Sequence, residues 1–324
     1  MTNTPYSVPF GAPVYVGVDT GNRQYKTRNN IFVAGIEPIS DNETLYEQTW
    51  KVDGQRYALT RHRNPYEIDK TVNGNCFALT VYAVEQELAK RGIDTSKGPV
   101  PVKLCLSLPP RDFSRLRQKF HDYFARPVPV EYNCLTPANR QFEIVGVNVY
   151  PQGFAAIWTR FADIQRLKRA LIVDIGGYTT DVIELHEGSI DPNLCTSLDM
   201  GMIKLYTNAI QRIQSTLGYK LTEDDVDEIL ATNAGPNPQI TEIVRDEAKK
   251  FVHEIAAKLY ELGADLRIIK GVFVGGGTVR LQPYIAAESD VIANPIIISD
   301  IHANAIGCEE LAMAYDREAM RGGG

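Results

Sequence analysis

No run of eighteen apolar residues occurs in the sequence, so no transmembrane helix is expected. There is no Cys-x-x-Cys pair among Cys76, Cys105, Cys134, Cys195 and Cys308. That excludes a zinc ribbon or a dithiol redox motif and points to reduced core thiols, not a disulfide framework. The histidines, His62, His121, His186, His253 and His302, show no metal-ligand spacing. The opening residues lack a basic stretch followed by an apolar core, so no secretion signal is expected and a cytoplasmic location is. Positive charge is not in excess: 34 Lys and Arg against 40 Asp and Glu leave a net charge of −6. Such a surface is a poor electrostatic match for DNA or anionic lipid, so neither direct nucleic-acid binding nor membrane attachment is expected. At 324 residues, 44% hydrophobic and 23% charged, the chain has ordinary globular composition and exceeds one ordinary core.

What the sequence does contain is one device used twice. Residues 14–26 and 171–183 each read as an apolar strand ending in Asp-x-Gly, a tight turn and a returning strand. Facing each other across a cleft, two such turns could hold a nucleotide's phosphates from both sides. Gly21, Gly176 and Gly177 are read as supplying positive φ and a close approach of backbone N–H groups to an anion. The hydroxyls of Thr179 and Thr180 could add donors. Asp19 and Asp174 stand where Mg²⁺ needs oxygen ligands, held through its waters. The plainer alternative is a pair of hairpin turns. A third motif, Gly271–Thr278, reads as a buried strand, a glycine turn at Gly275, Gly276 and Gly277, and a helix start whose N–H groups favour negative charge. It matches neither the dinucleotide-binding nor the P-loop pattern.

In this order the motifs resemble those of the actin superfamily of ATPases, which also holds sugar kinases and DnaK-type chaperones. Within it the chain is most similar to the plasmid-segregation actins, the ParM/StbA group, through Asp19, Gly21 and Lys26 and through its length. The resemblance covers nearly the whole chain. It implies an α/β actin-like ATPase fold with two related domains around a nucleotide cleft. Domain I would span 1–150 plus 301–324, with a small subdomain near 36–76. Domain II would span 151–300, with a helical subdomain near 201–265. It also implies that Thr20, Gly21, Asn22, Arg23 and Lys26 form the first phosphate turn, and Gly176, Gly177, Tyr178 and Thr179 the second. Gly275, Gly276, Gly277 and Thr278 would line the adenosine, and Lys204 the base pocket. Asn22 and Arg23 depart from the family, where Ser or Thr often follows the first glycine.

The stretch Val147–Ala156 reads as a strand, a proline and a helix opening, with Pro151 in the first helical turn. By the resemblance Gln152 then orients the attacking water; a neutral amide can position water but cannot act as a base. Asp174 is the second candidate for the catalytic centre. Strands are expected at 14–19, 31–34, 102–108, 142–149, 171–175, 178–185 and 271–275. Helices are expected at 77–91, at 112–125 with Asp112 as N-cap, at 202–217, 222–231 and 239–262, and at 303–317. Residues 60–70 mix charge and aromatics but read as a solvated loop, with a subunit contact in a filament as the second reading.

The resemblance implies an ATPase whose nucleotide is ATP, with GTP the other candidate, and whose cofactor is Mg²⁺. ATP binding would drive assembly into filaments, hydrolysis would loosen them, and a DNA-binding adaptor protein would link them to a plasmid. The alternative is a small-molecule kinase of the same fold, which needs a carboxylate base beside the γ-phosphate. Asp174 and Asp181 are the residues that could serve. A chaperone-like binding module is a third reading, but the substrate domain it needs is not expected here.

Overall fold

A computed structural model describes residues 12–43, 45–46, 48–126, 128–134 and 140–322. The Cys134 side chain and residues Gly323 and Gly324 lie outside what is described. The chain packs as two units. One holds the chain up to Leu108, Asp112–Pro151 and the chain from Asn304; the other holds Pro109–Arg111 and Gln152–Ala303.

The amino-terminal unit is built on β1 (Val14–Thr20), β2 (Gln24–Lys26), β3 (Ile31–Val33), β4 (Ile36–Ile39), β5 (Thr49–Val52), β6 (Gln55–Leu59), β7 (Val100–Leu108), β8 (Val130–Cys134) and β9 (Arg140–Pro151). Among the described residues these form one sheet in the order β3-β2-β1-β7-β9-β8-β5-β6-β4. β1, β7 and β9 are parallel. Such strands are covered on both faces, which is why β1 and β7 read as near-continuous apolar runs. Helices α1 (Asn75–Lys90) and α2 (Pro110–Phe124) pack their apolar stripes into that core. Phe77, Val81, Val84 and Leu88 of α1 and Leu116, Phe120 and Phe124 of α2 are all buried. Asp112 is not the cap: α2 begins two residues earlier, at Pro110, and Asp112 sits in its first turn.

The second unit opens with a 3₁₀ turn, Trp158–Arg160, and α3 (Phe161–Ile164). Its sheet takes β10 (Arg169–Ile175), β11 (Thr180–His186), β12 (Ser189–Leu198), β13 (Lys270–Val274) and β14 (Ile296–Ile297) in the order β12-β11-β10-β13-β14. A helical block lies between β12 and β13: α4 (Met202–Leu217), α5 (Glu223–Thr232) and α6 (Pro238–Glu261); α7 (Gly276–Ala287) follows β13. Local chemistry sets the boundaries of the block. α4 stops at Gly218 in the left-handed region, and Thr222 and Asp225 form a reciprocal capping box on α5. Asn237 caps α6, with Pro238 at its first position. Leu171, Val173 and Ile175 of β10 pack with Leu205, Ile213, Ile240, Phe251 and Ile255 in one apolar cluster. Among the described residues no helix is long and apolar enough to cross a membrane.

The last helix, α8 (Ala303–Gly322), returns to the amino-terminal unit and seats on β1 at Gly17. A Cβ on Gly17 would stand 1.9 Å from the Ala305 carbonyl oxygen. Beside this contact Glu309, fully buried, accepts from the Gly17 N–H at 3.0 Å and from Arg28 Nε at 2.7 Å, and also from Arg91. Arg91 reaches Glu87 of its own helix at 2.7 Å. Glu87 in turn accepts from Thr27 and from the Asn29 N–H. Burial pushes the Glu87 carboxyl up, but the bond from Thr27 and the Arg91 charge outweigh it and hold it below the usual carboxylate range. Deleting one member of a buried charge network strands the others. Glu309→Ala is therefore expected to destabilise the amino-terminal unit by about 3–5 kcal/mol, read as a lower urea midpoint. Gly17→Ala should lower the midpoint through overlap with the α8 backbone; an unchanged midpoint in both variants would overturn this account.

Candidate functional site

Two segments distant in sequence from β10 converge on Asp174 in the second unit. Asp174 is the penultimate residue of β10 and is buried. Gly275 caps α7 with φ +92°, and a Cβ there would stand 2.1 Å from Asp174 Oδ1. Gly153, φ +76°, lies on another side, its Cβ position 3.5 Å from Asp174 Cβ. Both glycines combine a backbone geometry that L side chains avoid with space that a side chain would fill. Gly277 packs as closely on Ile175, where a Cβ would meet Cγ2 at 2.5 Å.

The second turn is closed on itself and tied to the helical block. The Gly176 N–H donates to the Thr179 carbonyl at 2.8 Å. The Gly176 and Gly177 carbonyls accept from the first N–H groups of α4, Met202 at 3.0 Å and Ile203 at 2.9 Å. The turn thus spends its carbonyls on the helix end, the usual fate of orphan N–H groups there. Gly201, just before α4, must be glycine because a Cβ would come 2.3 Å from the Gly177 oxygen.

In the amino-terminal unit the first turn follows β1. Asp19, buried, faces Lys26 across the β1–β2 pair, with Lys26 Nζ 3.3 Å from Oδ2. Thr20 is buried; Asn22 and Gly21 line a small cavity of about 30 Å³ together with Tyr25, Asn64, Glu67 and Lys70. The Arg23 carbonyl accepts from the Ala34 N–H at 3.0 Å. Lys70, in the stretch expected to be a solvated loop, donates to the Thr20 carbonyl and was missed as a site residue. Asp69 beside it is held at about 2; burial opposes this, and bonds from Lys119 and Thr71 overcome it. No local pattern marks Lys70, because its partner lies fifty residues away.

Several expectations are corrected. β9 continues through Pro151, which pairs with Leu108, and residues 152–157 form a turn, not a helix opening. Gln152 is half-buried in that turn, one peptide from Gly153 and thus near Asp174. Gly21, Gly176 and Gly177 do not have positive φ; they are needed for close approach, a Cβ on Gly21 meeting the Gln24 carbonyl oxygen at 2.5 Å. The Thr180 hydroxyl donates to the Met200 carbonyl at 2.6 Å, and the Thr278 hydroxyl donates to that of Val274. Both hydroxyls are spent internally, so a ligand could meet only their backbone. Tyr178 and Thr179 are half-buried in the second turn, and Gly276 has open space around its Cβ position. Lys204 is exposed on α4, 3.9 Å from Glu254. The structure also groups Glu184, His186 and Asp191. Arg169 at 2.6 Å already balances Glu184, which argues against a cation there.

Residues 172–286 match the family model for the archaeal actin homologue MreB-like, C-terminal. No curated protein matches the sequence significantly. Among solved structures, the chain resembles Ta0583, an archaeal actin homologue, with a TM-score of 0.72 and 19% identity over 93% of this chain and 99% of that one. It also resembles the actin-like protein Alp7A, TM-score 0.73 and 14% identity over 95% and 98%. The subunit of a 15-stranded ParM filament from Clostridium botulinum gives 0.71 and 17% over 93% and 99%. Ta0583 is also known in complex with ADP. These likenesses establish an actin-like α/β fold of two domains.

Asp181 pairs with Asp174 across β10 and β11 and with Ser197 across β11 and β12. Its Oδ1 and the Ser197 hydroxyl are buried, with no hydrogen-bond partner among the described residues. Burial first, and then the Asp174 charge, push Asp181 up to about 7. Between about pH 4 and pH 7 the folded chain therefore keeps a proton that the unfolded chain has lost, so stability falls as pH rises through that window. Without nucleotide or divalent ion, Asp181→Asn should shrink the loss of unfolding free energy between pH 5 and pH 8 by about 2–3 kcal/mol. Chemical denaturation at the two pH values checks this; equal losses in both proteins would refute it.

Proposed function

We propose that the chain is a nucleotide-dependent, filament-forming ATPase that segregates plasmid DNA through a DNA-binding adaptor protein. The observation that carries the reading is the convergence of Gly153 and Gly275 on Asp174, which leads into the second turn. The close approach of Gly275 fixes the buried carboxylate, and the open space at the Gly276 Cβ position leaves bare backbone on which a ligand could lie. The ADP complex of Ta0583 and the ParM filament support the reading by likeness of fold.

The residues fit a magnesium nucleotide. Asp19 and Asp174 are hard oxygen donors, and the orphaned Oδ1 of Asp181 adds a third buried oxygen in the second unit. Asp19 and Asp174 would hold the ion through its waters; when bound, it would neutralise charge spread over the phosphoryl oxygens. Gly21, Asn22 and Lys26 of the first turn and Gly177, Tyr178 and Thr179 of the second would bind the phosphates. Thr20 and Arg23 would shape the first turn through their backbone. Gly275, Gly276, Gly277 and Thr278 would carry the adenosine, with Lys204 near the base. Gln152 would accept a hydrogen bond from water and orient it, without taking its proton. Hydrolysis of this kind is slow and dominated by positioning, as a filament timer requires.

One observation favours a second reading. Asp181 is a buried carboxyl pushed up to about 7, which suits the general base of a small-molecule kinase. Light scattering followed in parallel with phosphate release after adding Mg-ATP separates the two. For a dynamic filament, scattering rises and then decays as phosphate appears. Gln152→Ala should keep scattering high while phosphate release drops roughly 10- to 100-fold, the cost of losing a positioned reactant. Absence of scattering at any concentration, with turnover only when a small acceptor is supplied, would overturn the filament reading in favour of the kinase.

A further inference from the structure

One strand of the amino-terminal unit has a side without a strand partner. β9 pairs with β7 from Phe142 to Pro151, but β8 pairs with β9 only at Arg140, Gln141 and Phe142. From Glu143 onward the other side of β9 meets no strand among the described residues. A free edge invites a second chain, and proteins usually guard it with charge, proline or a bulge. The register shift of β9 comes early, opposite Val102 and Lys103. Beyond it, Val147, Asn148, Val149 and Tyr150 bring no charge, and no proline precedes Pro151 at the strand's end. This stretch is unguarded.

The edge is the floor of a groove. A cavity of about 550 Å³ is lined by residues 147–150, by Phe113, Arg117 and His121 of α2, and by Tyr315 of α8. Phe113, Arg117 and His121 follow one another at intervals of four and share a face of the helix. Successive strand residues point to opposite faces of a sheet, so the two walls differ. Val147, Val149 and Phe113 pack into one apolar cluster on the α2 side. Tyr150 points the other way and stacks on Tyr315, with ring centroids 6.2 Å apart and planes at 18°. Tyr315 is 52% exposed. On the α2 wall Arg117 is exposed, stands over the Phe113 ring at 5.8 Å and has no ion-pair partner among the described residues. His121 meets Asp122 at 2.9 Å, but no carboxylate lines the cavity itself.

We propose that this groove receives an extended segment of a partner protein, added as a strand to β9 and alternating acidic with apolar residues. The main-chain groups of β9 supply affinity, and the two walls supply selection. In the added strand alternate side chains face opposite walls. Acidic ones meet Arg117, and apolar ones cover Tyr150 and Tyr315. Residues 147–150 span about 13 Å, enough for two side chains on each wall. Nothing in this contact requires nucleotide or assembly, so it goes beyond the filament reading and stands apart from it.

The test is fluorescence anisotropy of a labelled peptide that alternates glutamate with valine, titrated with the full chain in the absence of nucleotide. The peptide should bind saturably. Methylating its backbone nitrogens keeps every side chain and should abolish binding, because an added strand must donate to β9. Replacing its glutamates by lysine should weaken binding about fivefold, the upper worth of one exposed ion pair. Arg117→Glu should reverse that preference, which marks the groove as the place of binding, and Tyr315→Ser should weaken both peptides alike. Equal binding of the methylated peptide, an unmoved preference in Arg117→Glu, or no binding at all would overturn the contact. Binding that appears only after residues 1–11 are removed would give the groove to the chain's own start. Binding that appears only as dimers dissociate on dilution would give it to a second copy. Either result also overturns the partner contact.

Discussion

The second unit is organised by an exclusion: at Gly275, which faces Asp174, nothing larger than hydrogen fits, and at Gly153 the left-handed backbone disfavours any other residue. Gly275 would place a Cβ 2.1 Å from its carboxylate, and Gly153, φ +76°, would bring one to 3.2 Å from Ile172 Cγ2. This close approach brings the segment after β9, the end of β10 and the start of α7 together. It also places the buried carboxylate beside the start of α7, where helix N–H groups favour negative charge. The candidate site is therefore a property of main-chain geometry first and of side chains second.

The amino-terminal unit holds its corresponding strand differently. Gly17 lets α8 approach β1, but the approach is secured by Glu309, Arg91 and Glu87, ionised groups taken out of water. A buried network of this kind adds little over apolar packing, yet losing one member is costly. What it fixes is register: α8 can sit on β1 only where Glu309 meets the Gly17 N–H. The second unit relies instead on one large apolar cluster joining β10 to α4, α5 and α6.

Much of this was readable along the chain. Parallel strands buried on both faces announce themselves as apolar runs, and β1, β7, β10 and β13 were visible for that reason. Helix α4 and the starts of α5 and α6 carry their own signals in Gly218, Thr222 and Asn237. The hairpins β5–β6 and β11–β12 were less evident, although Asp53-Gly54 and Glu187-Gly188 adopt the paired positive φ of two-residue hairpin turns. At the site, residue types were legible but their commitments were not. Thr180 and Thr278 are buried, and a buried hydroxyl must find a partner, so both turn inward to carbonyls. Pro151 looked like a helix opener because local preference allows it, but pairing with Leu108 extends β9 over it. Lys70 is set by a contact that no short window contains.

The bonds from Met202 and Ile203 tie the start of α4 directly to the second turn, with Gly201 packed against Gly177 and Tyr178. A sixteen-residue helix is about 24 Å long. A tilt of about 5° at these bonds therefore carries the far end, at Leu217, through about 2 Å, by the helix length alone. Tyr219 stands just beyond that far end, so a body tilt of α4 about its bonds to Gly176 and Gly177 would be felt at the surface there, and the packing of α4 on β10, α5 and α6 is what opposes it.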